Sequence, residues 1–218
     1  HNIWMHVDAC VGGYLSPWVK RLGYALPGWD FSVPGVTSIS ADLHKYGMAP
    51  QGAPTMLLRS GELKTKYQQF DFRDWERGQY LAYTMQGTRP GGAVAGAWAA
   101  LQHLGEEGYL RCAKLLMDTT SALVEGINKI PGLAVLEPHD LCIFVTRSTD
   151  PGLDIGAVSD AMVRRGWFVG RQAEPAGIHM ALNPAHHETV EPYLRDLRAS
   201  VDEVRATGTK GEAAGSTY

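Results

Sequence analysis

The stretch Val36-Thr37-Ser38-Ile39-Ser40-Ala41-Asp42-Leu43-His44-Lys45-Tyr46-Gly47-Met48-Ala49-Pro50 decides the reading of this chain. Its short β-branched run suits a strand and delivers a His-Lys pair. Tyr-Gly-Met-Ala-Pro then turns the chain at once. Upstream, Ile3-Trp4-Met5-His6-Val7 is a second apolar run, and it ends at Asp8. Continuous apolar runs between Gly/Pro loops suit buried strands of an α/β sheet. An acid therefore stands at one strand end and a lysine just past the next.

An acid and a lysine so placed are what a protein needs to hold pyridoxal 5'-phosphate. The lysine ε-amine can form a Schiff base with the aldehyde. The carboxylate can pair with the pyridine nitrogen and keep it protonated, so that the ring accepts electrons. On this reading Lys45 and Asp8 are cofactor residues, and burial with a nearby cation would lower the lysine's pKa. His44 is placed to tune that lysine, shuttle a proton or contact the cofactor phosphate. His6, just before Asp8, is either a cofactor contact or a structural strand histidine. Gly87-Thr88-Arg89 offers small residues, a hydroxyl and a guanidinium just before a helix, a setting that suits phosphate.

Three stretches carry a family resemblance: His6-Val7-Asp8-Ala9-Cys10-Val11-Gly12-Gly13, Val36–Asp42 leading to His44-Lys45-Tyr46-Gly47, and Gln86-Gly87-Thr88-Arg89-Pro90-Gly91-Gly92. Arg165-Gly166-Trp167 adds a weaker one. With them the chain resembles the pyridoxal-phosphate enzymes of aspartate aminotransferase-like fold (PLP fold type I), in the group II decarboxylase branch. Within that branch it is most similar to the sphingosine-1-phosphate lyase family. The resemblance implies the C-terminal half of the large cofactor-binding domain followed by a small C-terminal α/β domain, with an upstream half or a complementing chain expected besides. It implies catalytic roles for Lys45 and His44, and cofactor contacts from Lys45, Asp8, His44, His6, Gly87 and Thr88. The last two would be made across a homodimer with shared active sites. Arg89 and Gln51 become candidate substrate contacts. The implied reaction is retro-aldol cleavage of a phosphorylated sphingoid base to a long-chain aldehyde and phosphoethanolamine.

Three positions depart from that pattern. Leu43 stands where a threonine is usual, Met48 where a tyrosine is frequent, and Gln51 where a lysine helps hold the substrate phosphate. A neutral amide in place of an ammonium loses a charge-assisted contact of roughly 1.5–3 kcal/mol. Two alternatives therefore stay open: a pyridoxal-phosphate-dependent amino acid decarboxylase, and a non-catalytic fragment or dimer partner of such an enzyme.

Composition narrows the rest. The chain has 218 residues and a net charge of −3, from 20 basic and 23 acidic side chains. That balance has no electrostatic footprint for nucleic acid; the resemblance implies a small-molecule substrate, a lipid phosphate or an amino acid. No window approaches the roughly 20 apolar residues that span a bilayer. Cys10, Cys112 and Cys142 are too scattered for a disulfide framework or a zinc site, so no metal is expected. They read as reduced thiols of a cytoplasmic protein.

Along the chain, Ile3–Val7, Val36–Ser40 and Thr55–Leu58 are predicted strands. Residues 12–32 and 61–90 are expected to be loop-rich. A helix opens at Pro90-Gly91-Gly92 and runs to about Leu104, with Val94, Ala97, Trp98, Leu101 and Leu104 on one face. A second, from about Gly108 to Lys129, carries Tyr109, Cys112, Leu116, Thr119, Leu123 and Ile127 on a stripe. Strands follow at Leu133–Leu136, Leu141–Arg147, Trp167–Val169 and Ile178–Leu182. Helices are expected at Ile155–Arg165 and from Val190 onward. The domain boundary is expected near 131, giving domains 1–130 and 131–206, with a Gly/Ala/Ser/Thr-rich, disordered tail over 207–218.

Overall fold

The structure is a computed structural model that describes residues 3–67 and 70–211. The chain divides into two compact units between Leu110 and Arg111.

In the first unit, β1 (Met5–Asp8), β2 (Val36–Asp42) and β3 (Pro54–Leu58) form one sheet in that order. β1 and β2 are parallel, with Asp8 opposite Ser40. β3 returns antiparallel, with Pro54 opposite Asp42. The alternation of side chains along a strand puts His6, Asp8, Ser38, Ser40 and Asp42 on one face. Val36, Ile39 and Ala41 are buried. The expected strands are present, and β2 runs on to Asp42, so Lys45 lies in the turn at its end.

The two segments expected to be loop-rich are more ordered than composition suggests. α1 (Ser16–Arg21) carries Pro17 in its first turn, where a fixed φ is well suited. α2 (Gly61–Tyr67) is followed by a hairpin of β4 (Phe70–Phe72) and β5 (Tyr80–Ala82). Asp71 secures that hairpin by accepting from Arg73 and from Gln79 across it, 2.7 Å away in each case.

α3 (Gly92–Asn128) takes up both predicted helices, with non-helical backbone at Gly105 marking the break between them. Its first half buries only part of the expected face. Ala97 is buried with Leu43 and Ala53, and Ala93 and Leu101 pack on them. Val94 and Trp98 are 69% and 65% exposed. The cause is close approach: a Cβ at Gly96 would lie 2.7 Å from the Pro50 ring. Only the small-residue face fits against the turn that carries Lys45. The second half buries Tyr109, Leu116, Thr119, Leu123 and Ile127 as its period predicted.

The second unit begins inside α3, about 20 residues before the boundary expected at 131. The buried stripe of the helix after Leu110 belongs to this unit's core, so the composition change at Ile130-Pro131-Gly132 marks a helix end rather than a unit boundary. β6 (Leu133–Val135), β7 (Ile143–Ser148), β8 (Gly170–Gln172) and β9 (Gly177–Ala181) form an antiparallel sheet in the order β6-β7-β9-β8. α4 (Ile155–Arg164) is capped by Asp154, whose side chain accepts from the Ala157 amide. α5 (Val190–Thr207) buries Tyr193, Leu197, Val201 and Val204. β8 lies three residues beyond the expected Trp167–Val169. The Trp167 indole N–H donates to Asp196 at 2.9 Å and its ring meets Tyr193 edge-on, which ties it to α5 instead. Most of the expected tail, 212–218, lies outside the described residues.

Leu197 has no solvent-exposed surface. Leu197→Ala is expected to lower unfolding free energy by about 2–5 kcal/mol. The check is a shift in the urea midpoint at unchanged slope.

Candidate active site

The site is built on the ends of β1 and β2. Asp8 closes β1, and its Oδ1 accepts from Ser40 Oγ at 2.8 Å and from the Cys10 amide at 3.1 Å. The Ser40 hydroxyl, then the Cys10 amide, hold the carboxyl below its ordinary 3.8. Its charge is complete above that value and is lost only as pH falls through the lower folded one.

A chain of donors leads to this carboxylate. The Trp4 indole N–H donates to Ser38 Oγ at 2.8 Å, and Ser38 Oγ lies 2.7 Å from His6 Nδ1. His6 Nε2 lies 3.3 Å from Ser40 Oγ. Because Ser40 gives its proton to Asp8, His6 must donate from Nε2 and accept at Nδ1, which fixes its tautomer. Every dipole in the chain then points at Asp8, and each bond polarises the next. His6 therefore acts on Asp8 through Ser40.

The lysine turn is equally determined. The Lys45 amide donates to the Asp42 carbonyl at 3.2 Å, Met48 to Lys45 at 3.1 Å and Ala49 to Leu43 at 3.0 Å. Gly47 is required: a Cβ there would sit 2.6 Å from the Leu43 carbonyl oxygen. Met48 takes a left-handed φ of 56°, a conformation that costs a non-glycine residue roughly 1–2 kcal/mol. The Tyr109 hydroxyl donates to the Gly47 carbonyl at 2.7 Å, and its ring stacks on Trp18 at 5.3 Å. Tyr109→Phe keeps the stack but leaves the buried carbonyl short of a partner. It is expected to cost about 1–3 kcal/mol, read as a lower denaturation midpoint.

Lys45 Nζ lies 2.9 Å from Asp42 Oδ2, and His44 Nε2 approaches the same oxygen at 3.7 Å. Contact with the Cys10 thiol, then with Asp42, raises Lys45 above its usual 10.5. This reverses the lowering expected from burial: the lysine is exposed, and an acid rather than a cation stands beside it. The stability this pairing gives is complete below 10.5 and is lost as pH rises through the raised value.

Sequence reasoning missed Asp42, Ser40 and Cys10. Asp42 had a usable signal, since it stands three residues before Lys45, the reach of one turn. Cys10, read from sequence only as a reduced thiol, had none. Of the other candidates, Arg89 lines a cleft with Ser40 and Asp42. Gly87 has a left-handed φ of 65° and bonds through its amide to Thr84. Thr88 and Gln51 are exposed. No cluster of metal-ligating side chains occurs among the described residues.

These residues fit pyridoxal 5'-phosphate. Asp8 offers a carboxylate held ionised for a pyridinium, and Lys45 offers an exposed amine within the same pair of strand ends. His44 Nδ1 is buried without a hydrogen-bond partner, an atom that calls for one.

Comparison with known proteins agrees. Residues 1–141 match the model of the pyridoxal-dependent decarboxylase conserved domain. The sphingosine-1-phosphate lyase of Arabidopsis thaliana is 43% identical over 94% of this chain, and the chain spans 37% of that relative. The solved sphingosine-1-phosphate lyase of Burkholderia pseudomallei superposes with a TM-score of 0.89 at 37% identity, over 94% of this chain and 46% of that one. Glutamate decarboxylase of Lactobacillus brevis shares the fold, with a TM-score of 0.78 at 20% identity over 93% of this chain and 47% of that one. The fold is thus that of the fold type I pyridoxal-phosphate enzymes and the cofactor is pyridoxal 5'-phosphate: the chain belongs to the pyridoxal-dependent decarboxylase family.

Proposed function

We propose that this chain is part of a carbon–carbon lyase that cleaves a phosphorylated sphingoid base, sphingosine-1-phosphate, to a long-chain aldehyde and phosphoethanolamine. The observation that carries the reading is the pairing of a charged Asp8 with Lys45 on neighbouring strand ends. The similarity to sphingosine-1-phosphate lyases supports the substrate. Bound pyridoxal phosphate supplies an electron sink for the bond that breaks. Asp8 would keep the ring nitrogen protonated. Lys45 would hold the cofactor and would carry a proton at Nζ, with His44 beside it. The C3 hydroxyl loses a proton, the C2–C3 bond breaks, and C2 regains a proton.

The active unit in this proposal is a homodimer with shared active sites, completed by an upstream half or a complementing chain. The turn holding Gly87 and Thr88, exposed at Thr88, is the element offered to the partner. A cytoplasmic location belongs to the same proposal, on the ground that Cys10, Cys112 and Cys142 are free thiols. No helix among the described residues is long and apolar enough to cross a membrane.

The neutral Gln51 favours a second reading, an amino acid decarboxylase on the same site. Incubation of the holoenzyme with sphingosine-1-phosphate and with a panel of amino acids separates the two. Phosphate-dependent aldehyde release supports the lyase; carbon dioxide release without aldehyde sinks it. Borohydride reduction with peptide mapping tests the third possibility, since a protein with no adduct at Lys45 is a non-catalytic partner.

A further inference from the structure

Two cations share a cleft with the site and have no acidic partner among the described residues. Arg89 and Lys64 line it together with Ser40, Asp42, Thr55 and Tyr83. Lys64 Nζ sits over the Tyr83 ring, 4.1 Å from its centre, so an aromatic face, not a carboxylate, holds it in place. Two of its hydroxyls are committed: Ser40 donates to Asp8 and Thr55 to the Ala41 carbonyl at 2.6 Å. Asp42, the one acid of the cleft, is paired with Lys45. Two unneutralised cations facing one cavity repel each other, and an anion placed between them relieves that cost.

We propose that Lys64 and Arg89 form the binding site for a phosphate monoester dianion at this active site. The inference rests on the proposed function for its first source, the substrate phosphate; the cofactor phosphate is the second. It accounts for the neutral Gln51, since the charge expected at that position is supplied from α2, 13 residues further along the chain. The ammonium of Lys64 acts as a point charge, so arginine preserves its role and alanine removes it.

The experiment compares the holoenzyme with its Lys64→Ala and Lys64→Arg variants in three measurements: KM and kcat for sphingosine-1-phosphate, calorimetric affinity for inorganic phosphate, and cofactor dissociation constant. Lys64→Ala is expected to weaken phosphate binding by about 10- to 100-fold, with Lys64→Arg close to wild type. A matching rise in KM at unchanged kcat assigns the cleft to the substrate. A matching loss of cofactor affinity at unchanged KM assigns it to the cofactor. Unchanged phosphate affinity, KM and cofactor affinity in Lys64→Ala would overturn the proposal. Should the wild-type enzyme cleave no phosphorylated amino alcohol, the proposed function falls, while phosphate affinity still decides the cleft.

Discussion

Lys45→Ala is expected to abolish turnover, by on the order of 10⁴-fold, and to leave no borohydride-reducible adduct in the 36–50 peptide. Two losses combine. The amine that attaches the cofactor is gone, and so is the group that carries a proton at Nζ. The fold should survive, because Lys45 is exposed and its turn is fastened through backbone groups: Tyr109 to Gly47, Leu43 to Ala53 and Ala49 to Leu43. Removing the ammonium also strips Asp42 of its 2.9 Å partner, so the stability this pairing gives below 10.5 is lost at neutral pH too, and its decline as pH rises through the raised value disappears. Intact mass after reduction and circular dichroism together check the claim. A variant that retains turnover with a native spectrum would remove Lys45 from the mechanism.

Asp8→Asn is the second large effect. The carboxylate is held ionised by Ser40 and Cys10, with His6 feeding the Ser40 hydroxyl. The amide keeps the shape and loses the charge opposite the pyridine nitrogen, so the ring proton and the electron sink go with it. Removing a preorganised electrostatic partner of this kind lowers kcat by about 10²- to 10³-fold. Because the native carboxyl titrates below 3.8, the wild-type enzyme should show no loss of activity from this group between neutral pH and about that value. The measurement is kcat with saturating cofactor, beside the cofactor's absorbance. Wild-type kcat in Asp8→Asn would show that the pyridine nitrogen needs no anion here.

Local sequence accounts for much of the fold. The β-branched run at 36–40 reads as a strand because its side chains alternate onto a pleated surface. The stripe Leu116, Leu123, Ile127 reads as a buried helix face because 3.6-residue periodicity leaves few other solutions. Failures came where a partner distant in sequence chose between permitted faces. Val94 and Trp98 have the hydrophobicity of a core face, yet Pro50 approaches so closely at Gly96 that only the Ala93–Ala97 side fits. Trp167 has the composition of a strand residue, but Asp196 and Tyr193 claim it.

The candidate site divides in the same way. Sequence alone determined the chemistry on offer: an acid after one strand, a His-Lys pair after the next, and a Gly-Thr-Arg loop. Residue type and strand order are local information, and they fix which groups arrive at the strand ends. Only the tertiary structure decided the charge states, because these depend on neighbours tens of residues away. Ser40 reaches back 32 residues to hold Asp8 ionised. Cys10, far back along the chain, raises the Lys45 amine above its ordinary value. The meeting of Lys64 with Arg89 in one cleft is likewise absent from any local pattern, since electrostatic energy follows distance in space and not separation along the chain.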